Sequence, residues 1–120
     1  MLLYFAADLL WATRIKALAN DLGLAARPVR NLEMLNARLA EGGVRGLVVD
    51  LDAPEVALQL IARLRGEGAS EEERAIRVLA WGPHVQKDLF QHARNAGADE
   101  VMTRGAFDHA LAEILTRFSA

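Results

Sequence analysis

The sequence predicts one α/β domain with a five-stranded parallel sheet, order 2-1-3-4-5, and helices on both faces. Three observations carry this. Short apolar runs alternate with helical patterns five times along the chain, as in successive βα units. The run Leu47, Val48, Val49 is uninterrupted, which suits a strand buried on both faces; it ends in Asp50, and Pro54 opens the next helical pattern. Pro28, in the second apolar run, cannot donate to a ladder and so marks an edge strand. Right-handed crossovers leave few other orders.

Each element follows from local chemistry. Leu2 to Phe5 reads as a short buried strand, and Asp8 caps the helix after it. In that helix Trp11, Ile15, Leu18 and Leu22 form one stripe, and Gly23 ends it. The second strand is expected over Leu24 to Val29. Asn31 caps a helix with Leu32, Leu35 and Leu39 inward, closed by Gly42 and Gly43. The central strand is expected over Val44 to Asp50. The helix from Pro54 turns Ala57, Leu60, Ile61 and Leu64 inward and ends at Gly66. From Gly66 to Arg74 the charge run Glu71-Glu72-Glu73 reads as a solvated loop with room for one helical turn. Ile76 to Trp81 is the fourth strand and Gly82-Pro83-His84 the turn after it. Val85, Leu89, Ala93 and Ala96 then line a helix that stops at Gly97. Glu100 to Thr103 is the fifth strand, and Phe107, Leu111, Ile114 and Phe118 place one last helix on the core.

A length of 120 residues fits a single domain spanning 1–120. A net charge of −2 lacks the basic excess of a phosphate-binding surface, so no nucleic-acid partner is expected. With no cysteine, disulfides, zinc–thiolate sites and thiol catalysis are excluded. Asp8 interrupts the apolar start, which has no basic leader; a cytoplasmic protein without a membrane span is expected. A carboxylate at the C-terminal end of a central parallel strand stands where open α/β sheets build their sites, which makes Asp50 the first candidate.

At Leu47-Val48-Val49-Asp50-Leu51-Asp52-Ala53-Pro54 and at Gly97-Ala98-Asp99-Glu100-Val101-Met102-Thr103-Arg104 the chain resembles the receiver domains of two-component response regulators. The resemblance covers nearly the whole chain and implies a flavodoxin-like, receiver-like three-layer sandwich. It makes Asp50 the phosphoacceptor equivalent. It also shows what has changed. The paired acids that hold magnesium fall at Ala6 and Ala7, the switch Ser/Thr at Gly82, the lysine at Arg104, and the following proline at Gly105. Methyl groups supply no oxygen to a metal that wants several, and phosphoryl transfer depends on neutralising charge around the transferred group. The expectation is a degenerate pseudo-receiver with no catalytic residue, no metal and no cofactor. It would work as a stand-alone signalling or scaffold module by contact with a protein partner such as a sensor kinase or regulator, and pair with itself through its last two helices.

Asp50 is read as a carboxylate ion-paired to Arg104, with phosphorylation at an atypical site the alternative. Asp8 and Asp52 are read first as caps or loop residues, and Trp81 and Met102 first as core. Asp8, Asp52, Trp81 and His84 are also kept as possible ligand or partner contacts, and Phe90 and Met102 as a partner surface. His92 and His109 lack ligand spacing with any partner. Two further functions compete. Asp50-Leu51-Asp52 is also similar to the nucleophile motif of haloacid-dehalogenase-type phosphatases, although Pro54 stands where that motif has threonine or valine. A flavodoxin-like small-ligand binder is the other, although Ala6-Ala7-Asp8 is no glycine-rich phosphate loop.

Overall fold

The computed structural model describes residues 1–120. Five parallel strands, β1 (Leu2–Phe5), β2 (Ala26–Pro28), β3 (Gly46–Asp50), β4 (Arg77–Gly82) and β5 (Glu100–Thr103), form one sheet in the order β2-β1-β3-β4-β5. Seven helices connect and flank them: α1 (Leu9–Asp21), α2 (Leu32–Glu41), α3 (Pro54–Arg65), α4 (Glu71–Arg74), α5 (Lys87–Ala96), α6 (Arg104–His109) and α7 (Leu111–Ser119). The predicted order and the edge position of β2 are both observed.

Alternation along the strands divides the core in two. Leu3, Phe5, Leu47, Val49, Val78 and Ala80 face α2, α3 and α5. Leu2, Tyr4, Val48, Leu79 and Trp81 face α1, α6 and α7. The α3 stripe is fully buried as read from spacing, with Ala57, Leu60, Ile61 and Leu64 all at 0% exposure. Asp8 and Asn31 cap as expected, accepting from the amides of Trp11 and Met34, each at 2.8 Å.

Strands β3 and β4 begin later than expected, at Gly46 and Arg77, and β4 takes in Gly82, expected in the turn. Four differences are larger. The ladder of β2 spans only Ala26–Pro28, so Leu24 lies outside it. Leu22 is the C-cap of α1 and is exposed rather than on the core stripe. Val85 is not a helix residue: the Gln86 amide donates to the Pro83 carbonyl at 3.1 Å, and this turn delays α5 until Lys87. The buried face of α5 then falls on Phe90 and Ala93, leaving Val85 exposed. The last helix is two, broken at Ala110; the Ile114 amide still reaches the Ala110 carbonyl at 2.9 Å, which keeps all four predicted positions buried. The triple glutamate forms the single turn α4. There Ser70 and Glu73 make a reciprocal capping box, and Glu73 takes Arg63 bidentately at 2.9 and 3.1 Å.

Candidate site at the strand ends around Asp50

Asp50 ends β3 in register with Trp81 of β4. It is the one fully buried charged residue, at 0% exposure. Both carboxylate oxygens accept backbone amides: Oδ2 from Ala7 in the β1–α1 connection and Oδ1 from Asp52 in the β3–α3 connection, each at 2.9 Å. Burial raises the Asp50 pKa above the ordinary carboxylate value. The two amides act against that shift, Asp52 adds to it, and Arg104 opposes it more weakly.

The expected Asp50–Arg104 ion pair is not formed. Arg104 pairs instead with Asp52 through Nη2 and Oδ2. Arg104 follows β5 and Asp52 follows β3, so the pair spans the C-terminal end of β4, which lies between those strands. The reason is geometric. Asp50 is fully buried with an amide on each oxygen, whereas Asp52 stands on the loop with its carboxylate partly in solvent, where a long side chain can meet it. Thr103 fixes the start of α6, its Oγ1 accepting from the Ala106 amide at 3.1 Å. Arg104 keeps Nε buried and unpartnered.

For Trp81 the core reading holds. It is 0% exposed, its ring stacked on Phe107 at 4.1 Å and 7°, with Trp11 tilted against both. It presents no surface to a ligand or partner, and its indole N–H has no acceptor. Phe90 belongs to the other core layer and Met102 packs against the layer of Trp81, so neither forms a protruding partner surface. Gly82 ends β4, where an added Cβ would stand 3.1 Å from Leu51 Cβ and 3.3 Å from the Phe90 ring. His84 is exposed in the β4–α5 connection, and His92 and His109 are exposed on helices.

The donor set around Asp50 does not fit a magnesium ion. Ala6 and Ala7 offer methyl groups, each Asp50 oxygen already accepts one amide, and Asp52 is held by Arg104. No three His, Asp or Glu residues are grouped to hold a metal. Asp50, the nucleophile equivalent in the dehalogenase-type reading, is fully buried.

Sequence reasoning missed two features. Arg65 donates to the carbonyls of Gly97 (3.1 Å), Arg74 (3.1 Å) and Ile76 (2.8 Å) and to Asp99 Oδ2 (3.0 Å), tying α3 to the starts of β4 and β5. No local pattern marks an arginine whose partners are carbonyls distant in sequence. The second is a cleft beside β1 and β2 that Tyr4 and Arg30 line.

No protein-family model matches the chain, and no curated protein matches it. Solved structures do. A response regulator from Thermotoga maritima superposes with a TM-score of 0.75 at 21% identity, covering 99% of this chain and 97% of its own. A receiver domain from Bermanella marisrubri gives 0.78 at 18% identity with the same coverage. An atypical orphan response regulator, described as having a phosphorylation-independent regulatory mechanism, gives 0.71 at 18%, covering 98% and 93%. The resemblance read from the two motifs is thus matched in three dimensions: the chain has the flavodoxin-like fold of response-regulator receiver domains.

Proposed function

We propose that the protein is a pseudo-receiver: a signalling or scaffold module of two-component type that acts by protein contact and does not use magnesium-dependent aspartyl phosphorylation. One observation carries this reading. The phosphoacceptor-equivalent carboxylate has become a structural clamp, fully buried and holding two loop amides. A phosphoryl donor needs an exposed oxygen and a cation beside it. The orphan regulator of the same fold supports the idea that such a domain can signal without phosphate.

The surface favours contact through the start of α1. Leu9 and Leu10 are 80% and 77% exposed, side by side in its first turn, at the same end of the sheet as Asp50. Among the other large apolar side chains only Val85 is comparably open, Leu22 is about half as exposed, and neither lies on α5, α6 or α7. A hydrophobic docking surface therefore fits α1 better than a homodimer through the last helices. The test is incubation with acetyl phosphate and magnesium, followed by intact-mass measurement. No phosphate-dependent mass gain is expected. A gain that disappears in Asp50→Asn would replace this reading with that of a phosphorylatable regulator.

A further inference from the structure

A cleft of about 460 Å³ opens beside the C-terminal ends of β1 and β2, between the starts of α1 and α3. That volume is within the range of small-ligand sites. Asp50 is not part of its wall. The floor is apolar, built from Ala6, Ala7, Ala12 and Val29 among others. The methyl groups at 6 and 7 that deprive a metal of ligands also make this wall hydrocarbon.

Two polar groups converge on it. Tyr4 lines the cleft; most of its ring is buried, and its hydroxyl makes no hydrogen bond within the chain. That hydroxyl is not among the buried unpartnered groups, so it is open to the cleft and free to bond what enters. Burial raises its pKa, with Arg30 pulling the other way, so it keeps its proton at neutral pH and is a donor. Arg30 stands on the rim and takes part in no ion pair. The one carboxylate in the wall, Asp8, is engaged at the α1 N-terminus by the Trp11 amide at 2.8 Å, where the helix dipole offsets its charge.

One guanidinium and one phenol above a hydrocarbon floor match a monoanion with an apolar body. A compact dianion such as phosphate would need more donors and gains nothing from alanines. We infer that the cleft binds a small apolar carboxylic acid. Its carboxylate is taken by the Arg30 guanidinium and the Tyr4 hydroxyl, and its hydrocarbon part by the alanine-rich floor. This goes beyond the proposed function and does not rest on it.

Phenylacetate titrated into the ¹⁵N-labelled full chain tests the assignment. Saturable amide shifts are expected at Ala6, Ala7, Val29 and Arg30. Affinity should fall about tenfold or more in Arg30→Gln and about three- to tenfold in Tyr4→Phe. Ala12→Leu should abolish the shifts by filling the floor. Phenylethanol, which lacks the carboxylate, should bind at least about tenfold more weakly. The inference is overturned if phenylacetate gives no saturable shifts, if Arg30→Gln binds as wild type does, if phenylethanol binds equally well, or if inorganic phosphate moves the same amides more strongly.

Discussion

Asp50 holds two amides from two different loops, and this determines what its replacement does. In Asp50→Asn one of the two N–H donors faces an amide NH₂ instead of an oxygen. A buried donor left without an acceptor costs about 1–3 kcal/mol. The pH dependence separates this from a generic core defect. A carboxyl whose folded pKa is raised contributes most to stability below its unfolded pKa, and that contribution is lost as pH rises through the folded value. The stability advantage of wild type over Asp50→Asn should therefore shrink as pH rises from the acid range toward neutrality, measured by urea unfolding of both proteins in the same buffers. Glu73 and Glu100, whose pKa values Arg63 and Arg117 lower, run in the opposite direction but are common to both proteins and cancel. The Arg104–Asp52 pair is more than a third exposed, so removing it with Asp52→Ala should cost under about 1 kcal/mol. The special importance of Asp50 was legible from its place after Leu47-Val48-Val49. Its partners were not, because whether a carboxylate meets an arginine or two amides depends on loop backbone geometry that residue types do not encode locally.

At the scale of elements, burial on both faces made the strands easy to read, since a continuous apolar run has few other uses. The start of α5 was not legible, because the Pro83–Gln86 turn shifts the helix and moves the core position from Val85 to Phe90. Joints between elements carry testable energy. Gly97 closes α5 at φ +115°, and a Cβ there would meet the Arg65 side chain, which four hydrogen bonds hold in place. Gly97→Ala should cost about 1–3 kcal/mol in denaturant unfolding. In the aromatic stack between β4 and α6, Phe107→Ala should cost about 3–5 kcal/mol. Trp81→Phe should stay within about 1 kcal/mol of wild type, because the lost volume is offset by removing an indole N–H that has no acceptor.

For the whole molecule, the proposed function amounts to a receiver scaffold kept without its cation cage, switch hydroxyl and exposed acceptor oxygen. The β1–α1 and β3–α3 loops, which in such a scaffold frame the reacting group, are here tied together through Asp50 itself. The most direct test is a ¹H–¹⁵N spectrum of the chain with and without magnesium and beryllofluoride, read at the amides of Ala7 and Asp52. Neither amide is expected to move, because both remain bonded to the Asp50 carboxylate. Saturable, magnesium-dependent shifts at those two amides would show the carboxylate released to a phosphoryl mimic, and would contradict the proposed function.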